Sequence, residues 1–272
     1  MINKKREKAA KDVAESIILK FPELVGVNDA IGVILGTGWG DAFSDLNFKS
    51  LSLGAVSHFF GLETIEGHAR KLLIGKMGNR TVIVLQGRIH LNEVPYSREL
   101  AEMARLQIET LFHLGVKTLI TTAAVGGLDG RLKVGNVAIV DGLITVFAPD
   151  MPLWAGEFCS PEDSLSLDAI RVAKEEAGEV RALESSHAMV RGPFFEGRKY
   201  DKNILRSLCA GVVGMSILPE ACIASLYEVK VLALCLVTNS ATEVHSHEEN
   251  LRRAAEIAPK LSAYLERIIR RI

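Results

Sequence analysis

The chain has 272 residues, and 32 Lys and Arg against 33 Asp and Glu leave a formal net charge of -1, so no overall positive field exists to attract a nucleic-acid backbone or an acidic membrane. Hydrophobic residues make up 48% and charged residues 24%, a balance that excludes intrinsic disorder, and the length suits one α/β domain over residues 1–272. No apolar stretch reaches the roughly 20 residues that a membrane-crossing helix needs.

The opening MINKKREKAAKDVAESIILKF is basic, but Asp12 and Glu15 interrupt any signal-peptide core and no small-residue cleavage site follows, which predicts a cytoplasmic protein. Apolar spacing places Ala9, Val13, Ile17 and Ile18 on one stripe of a helix over 4–20. Val/Ile/Leu-rich runs then predict strands at 30–35, 72–74, 81–85 and 117–122, each bounded by Gly or a polar break. Further strands are predicted at 137–141, 188–190, 212–215 and 231–238, with helices at 97–114, 198–208, 219–228 and 247–271. This alternation predicts a three-layer α/β sandwich, its central sheet mixed, largely parallel and flanked by helices. Residues 147–163, with three prolines, Gly156 and Trp154, read as the one long irregular stretch. Cys159, Cys209, Cys222 and Cys235 form no C-x-x-C pair and read as free thiols of a reducing compartment rather than disulfides or metal ligands.

In α/β sheets chemistry collects just past the carboxyl ends of strands, and five clusters of small and polar residues stand there. Gly36-Thr37-Gly38-Trp39-Gly40 brings backbone N–H groups and a hydroxyl close to an anion, and lacks the dinucleotide G-x-G-x-x-G spacing. Gly67-His68 precedes a strand. Gln86-Gly87-Arg88-Ile89-His90 puts an Arg and a His two residues apart, on the same side of a strand end, a fork of donors suited to phosphate or carboxylate. Residues 121–127, TTAAVGG, offer backbone donors. Gly192-Pro193-Phe194-Phe195-Glu196, then Gly214-Met215-Ser216 and Thr238-Asn239, set polar groups beside aromatic and thioether surface, as a pocket for a planar heterocycle requires. Read alone, Glu196 could equally be a solvated acid at a helix start, Ser216 a helix cap and Asn239 a turn residue.

Together, GTGWG, EGHARKL, QGRIHLNE, TTAAVGGLDG, GPFFE, VGMSILPEACIA and LVTNS followed by HSHEEN resemble, in order from about residue 30 to 255, the trimeric purine nucleoside phosphorylase family, which includes the methylthioadenosine phosphorylases. The resemblance implies reversible phosphorolysis of a purine nucleoside to free base and ribose 1-phosphate. Inorganic phosphate is the co-substrate, with no metal or organic cofactor. It also implies a homotrimer whose partners are small molecules. By resemblance Thr37, His68, Arg88, His90, the backbone of Ala124 and Ser216 hold phosphate. Glu196 and Asn239 bind the purine edge and, with His90, form the catalytic set. Phe195 and Met215 line sugar and base, and His247 meets the 5′-hydroxyl, with His245 an alternative.

Four residues depart from the pattern. Asn92 stands in place of a ribose-contacting Tyr, Trp39 in place of a smaller residue, so that it narrows the entrance, Ala123 in place of an Asn, and Arg191 at a position often small. The aromatic that such enzymes lend across the trimer interface is left open among Phe147, Trp154 and Phe158. Asn239 with Glu196 leans toward inosine or guanosine, the alternatives being a methylthionucleoside phosphorylase and a non-catalytic nucleoside-binding paralogue.

Overall fold

The computed structural model describes residues 4–40, 42–44, 46–59, 69–93, 97–154, 156–192, 195–197, 199–240 and 247–272. Among the described residues nine strands form one sheet: β1 (Ala30–Leu35), β2 (Lys49–Ser52), β3 (Lys71–Met77), β4 (Arg80–Gln86), β5 (Val116–Gly127), β6 (Val137–Ile144), β7 (Ala182–Met189), β8 (Val212–Gly214) and β9 (Lys230–Ser240). Six α-helices accompany them there: α1 (Lys4–Lys20), α2 (Arg98–His113), α3 (Leu167–Glu175), α4 (Asp201–Ser207), α5 (Leu218–Leu226) and α6 (His247–Arg271).

The strand order is β2-β3-β4-β1-β5-β8-β7-β6-β9, and β9 also pairs with β5. Pairings β1–β4, β1–β5, β5–β9, β6–β7 and β7–β8 are parallel, and the rest are antiparallel. The extra pairing closes β5, β8, β7, β6 and β9 into a ring within the mixed sheet that the sequence pattern predicts. Ala123 and Val125, Ala138 and Val140, and Ala233, Cys235 and Val237 alternate along three of these strands and form one buried cluster. Their odd-and-even neighbours Val137, Ile139, Leu232, Leu234 and Leu236 pack instead with α3 and α6. Small Ala and Val side chains therefore line the tight inner face, as closure of so few strands demands.

On the other side of the sheet, α1, α2 and α5 cover Ile34, Ile74, Ile83 and Leu119. The α1 stripe is Ala10, Val13, Ala14 and Ile17. Every residue of β1 is buried, which suits the continuous apolar run of a central parallel strand. Three elements depart from the expected list. The edge strand β2, KSLS, is mostly exposed and carries no apolar pattern. The early half of β7 is polar, so only its apolar end was expected. Helix α3 starts at Leu167, just past the stretch read as irregular and where no helix is predicted; the Ser166 hydroxyl accepts the Ala169 N–H at 3.2 Å as its N-cap. Helix α4 begins at Asp201, five residues past Glu196, so the dipole of its first turn does not account for that acid.

Candidate functional site

Arg88 and His90 follow the end of β4, where Gly87 N–H donates to the Leu35 carbonyl at 3.0 Å and keeps the ends of β1 and β4 together. Gln107 of α2 clamps the residue between them: it accepts the Ile89 N–H at 2.9 Å and donates to the Ile89 carbonyl at 3.0 Å. The Arg88 side chain is buried. Its Nη1 pairs with Glu220 Oε1 of α5 at 2.5 Å, and its Nη2 donates to the Thr122 carbonyl on β5. The His90 backbone N–H donates to Glu93 Oε1 at 2.8 Å, and Glu93 is itself held in a buried ion pair by Arg70. Asn92 N–H donates to His90 Nδ1 at 3.1 Å. A neutral imidazole that accepts at Nδ1 carries its proton on Nε2, so His90 presents a donor at that atom.

Arg88, His90, Met215 and Ser216 line one small cavity of about 10 Å³ beside Glu220. That volume admits a water at most, and Thr37, Ala124 and Ser216 are each only partly buried. The glycine loop lies against the same strand end. Gly36 N–H donates to Thr122 Oγ1 at 2.9 Å, and a Cβ on Gly36 would lie 2.3 Å from the Thr122 carbonyl oxygen and 2.9 Å from Arg88 Nη2. Gly38 adopts φ +86 with Ala254 of α6 close behind it, a conformation and an approach that exclude a side chain. Trp39 does not narrow an entrance as expected. It is 1% exposed, packs in the core with Phe43, and its indole N–H donates to the Ala123 carbonyl at 3.3 Å, bracing the loop against β5.

Met215 and Ser216 follow β8. Ser216 does not cap α5; the cap position is Ile217, a β-branched residue at φ 78, backbone strain of the order of 1–3 kcal/mol stored next to the two side chains it presents. A Cβ on Gly192 would lie 2.4 Å from Met215 Sδ and 2.5 Å from Asn92 Nδ2, so both side chains pack on this glycine just past β7. The Asn92 amide nitrogen is buried and has no hydrogen-bond partner among the described residues.

Glu196 lines a second, larger cavity of about 370 Å³ with Val146, Phe147, Ala148, Val190, Arg191, Asp201, Ile204 and Leu205. Burial raises its carboxyl above the ordinary range, a shift opposed by a backbone hydrogen bond and by the buried Lys202 ammonium and reinforced by Asp201. Asn239, at the end of β9, is 4% exposed, and its Oδ1 accepts from Thr238 Oγ1 at 3.4 Å. It lies on the described lining of neither cavity. Phe195 is exposed rather than a core side chain. His68 and His245 lie outside the described residues. His247 opens α6, with its side chain outside the description.

One buried group has no sequence signal. His187 of β7 is fully enclosed, neither ring nitrogen has a hydrogen-bond partner among the described residues, and its Nε2 faces Gly214. Burial first, and then the Arg88 charge, lower its pKa to about 4. A depressed folded-state value means that the neutral ring's stability is complete above the unfolded value near 6.5 and is lost as pH falls through about 4. His187→Leu is therefore expected to retain about 3 kcal/mol of the stability that the parent loses between pH 7 and 4, measured by urea unfolding across that range.

Residues 30–270 match the family described as the Phosphorylase superfamily. The chain belongs to that superfamily. It is 31% identical over 252 residues to a purine nucleoside phosphorylase of Mycobacterium tuberculosis, covering 91% of each chain, and 28% identical over 255 residues to the bovine enzyme, covering 86% of each. Among solved structures, a Schistosoma purine nucleoside phosphorylase in complex with guanosine superposes with a TM-score of 0.81 at 28% identity, over 97% of each chain. Isoform 2 of the purine nucleoside phosphorylase from Schistosoma mansoni, in complex with cytosine and ribose-1-phosphate, gives 0.82 at 27% identity, covering 97% of this chain and 96% of that one. Membership makes the protein a pentosyltransferase.

Within this superfamily member, Glu220, Gln107 and the Arg70–Glu93 pair hold the loop of Arg88 and His90, and none was singled out from sequence. Glu220 lies inside the quoted VGMSILPEACIA, and a lone acid on an apolar helix was the available signal. Among the described residues, no group of three or more His, Cys, Asp or Glu could hold a metal, and no helix is long and apolar enough to cross a membrane.

Proposed function

We propose that the protein is a purine nucleoside phosphorylase, with inosine and guanosine preferred, in which inorganic phosphate attacks the anomeric carbon and leaves free base and ribose 1-phosphate. The observation that carries this reading is the convergence of Arg88, His90 and Ser216 on one cavity, joined through Met215 and Asn92 to Gly192, four residues before Glu196. Related Schistosoma structures hold inosine, guanosine and hypoxanthine, which supports the substrate class.

In this reading Thr37, His68, His90 Nε2–H, the Ala124 backbone and Ser216 donate to phosphate, and Arg88 supplies the buried positive charge. The bound anion then lies beneath a sugar that gains oxocarbenium character as the glycosidic bond breaks, an arrangement of charge that lowers the barrier. Asn239 meets the O6 side of the departing purine and Glu196 its N1–H, and both disperse the negative charge left on the base. The orphaned Asn92 amide supplies a sugar contact in place of the usual Tyr, while Phe195 and Met215 line sugar and base and His247 meets the 5′-hydroxyl. Phosphate is a co-substrate and no cofactor enters. A cytoplasmic homotrimer completes the proposal.

The test is release of hypoxanthine or guanine from the purified protein with and without phosphate. Phosphate-dependent release supports the reading; binding without turnover across inosine, guanosine and methylthioadenosine overturns it in favour of the paralogue. Because burial raises the Glu196 carboxyl, the acid limb of kcat/KM is expected above the usual carboxylate range, and Glu196→Gln is expected to flatten that limb while lowering the rate.

A further inference from the structure

Helix α6 is held differently on the two sides of Pro259. Beyond it, Leu261, Tyr264, Leu265, Ile268 and Ile269 are fully enclosed, and the Tyr264 hydroxyl donates to the Ala173 carbonyl at 2.7 Å. Pro259 has no N–H, so the helical hydrogen bond from residue 259 back to residue 255 is missing. Before it, Ala254 and Ile257 pack against the core, and Arg253 makes a polar tie.

Arg253 Nη1 donates to the Thr238 carbonyl of β9 at 2.9 Å, and Nη2 pairs with Glu249 Oε1, one turn nearer the start of α6, at 2.7 Å. An Arg–Glu pair along an open helix face contributes little. The carbonyl contact is different, because the β5–β9 register shifts at this point: Val125 faces Val237, Gly126 faces Asn239, and Thr238 is left over between them. A bulge of this kind re-aims the side chain that follows it, here Asn239, and the Arg253 guanidinium holds the bulge by its carbonyl. The neighbouring Ala254 backs the glycine loop, where a Cβ on Gly38 would lie 2.6 Å from the Ala254 Cβ.

We propose that Arg253 is a positioning residue for the nucleoside: it fastens the opening turns of α6 to the β9 bulge, so that Asn239 and His247 stand a fixed distance apart across one ligand. The inference rests on the phosphorylase reading, in which Asn239 meets the base and His247 the 5′-hydroxyl. The guanidinium acts through those two residues. Phosphate is left alone, since the glycine loop keeps its Ala254 contact without Arg253. Misplacing one of two groups that grip a substrate at its opposite ends costs rate steeply.

The experiment measures kcat/KM for inosine and 5′-deoxyinosine, with phosphate, in the parent protein and in Arg253→Met, which keeps an apolar stem and loses both bonds. The loss is expected to be at least about tenfold on inosine and at most about threefold on 5′-deoxyinosine, which has no hydroxyl for α6 to meet, with the KM for phosphate within about threefold of the parent. A merely structural residue lowers both nucleosides alike. Equal losses on the two, no loss on either, or a phosphate KM raised as far as that for inosine overturn the assignment. Equilibrium binding of the two nucleosides without phosphate reads the same role without turnover, in the parent, in Arg253→Met and in Glu249→Gln, which keeps the Thr238 contact and loosens the guanidinium from the helix. A clear fall in the inosine-to-5′-deoxyinosine affinity ratio in either variant supports the role, and a ratio unchanged in both overturns it. A parent that turns over neither nucleoside, alongside that fall, would defeat the phosphorylase reading and leave the positioning role of Arg253 standing.

Discussion

Arg88→Met is expected to raise the KM for phosphate by at least a hundredfold and to cost about 3–5 kcal/mol of stability, because in the proposed reading the guanidinium that pairs with Glu220 also attracts phosphate. Its partner Glu220 is 2% exposed, and one carboxylate oxygen, Oε2, already lacks a partner among the described residues. Removing Arg88 leaves that charge buried and uncompensated, the costly way to break such a pair. Adding Glu220→Leu removes the stranded charge, so the double variant is expected to recover most of the stability. Phosphate affinity does not return, since a leucine and a methionine attract no anion. Urea unfolding and phosphate-dependent kinetics of the single and double variants separate the two roles. Recovery of both properties in the double variant would show that Arg88 acts only as a structural residue.

The second large effect is expected at Arg105 of α2, which is 1% exposed. Its Nε meets Glu109 at 2.6 Å, its Nη1 and Nη2 meet the two oxygens of Glu157 at 2.5 and 3.0 Å, and Nη1 also donates to the Pro152 carbonyl at 3.2 Å. Tyr227, the C-cap of α5, donates its hydroxyl to Glu109 at 2.8 Å, and its pKa is raised by burial and by that neighbouring carboxylate. The network fastens the irregular segment to α2 and α5, and Met151, Leu153 and Cys159 of that segment pack with Leu218 and Cys222 just past Ser216. Arg105→Met strands two buried carboxylates, and a loss of about 3–5 kcal/mol is expected, with faster proteolytic cutting within 147–160. A change in melting without any change in cutting would mean that the segment is held by its apolar contacts alone.

Strands β1, β4, β5 and β9 could be placed from sequence because burial on both faces imposes an unbroken apolar run. Polar stretches such as KSLS in β2 leave no such trace, since an exposed edge makes no demand on side-chain type. That the Gly-rich loop, Arg88 and His90 stand at strand ends was readable because each directly follows an apolar run. Their supports were not. Arg88 and Glu220 are 132 residues apart, and local periodicity carries no information about a pairing made only when α5 closes on β4. Trp39 misled for a related reason: sequence places it in the loop, but only the fold turns its indole inward beneath Ala123.

Crystals of the protein grown with sulfate and guanine test the account most directly. Sulfate is expected within hydrogen-bond distance of His90 Nε2 and Ser216 Oγ, with guanine held by Glu196 and Asn239 one sugar's breadth away. Sulfate and guanine bound in separate regions, with neither touching these four side chains, would contradict it.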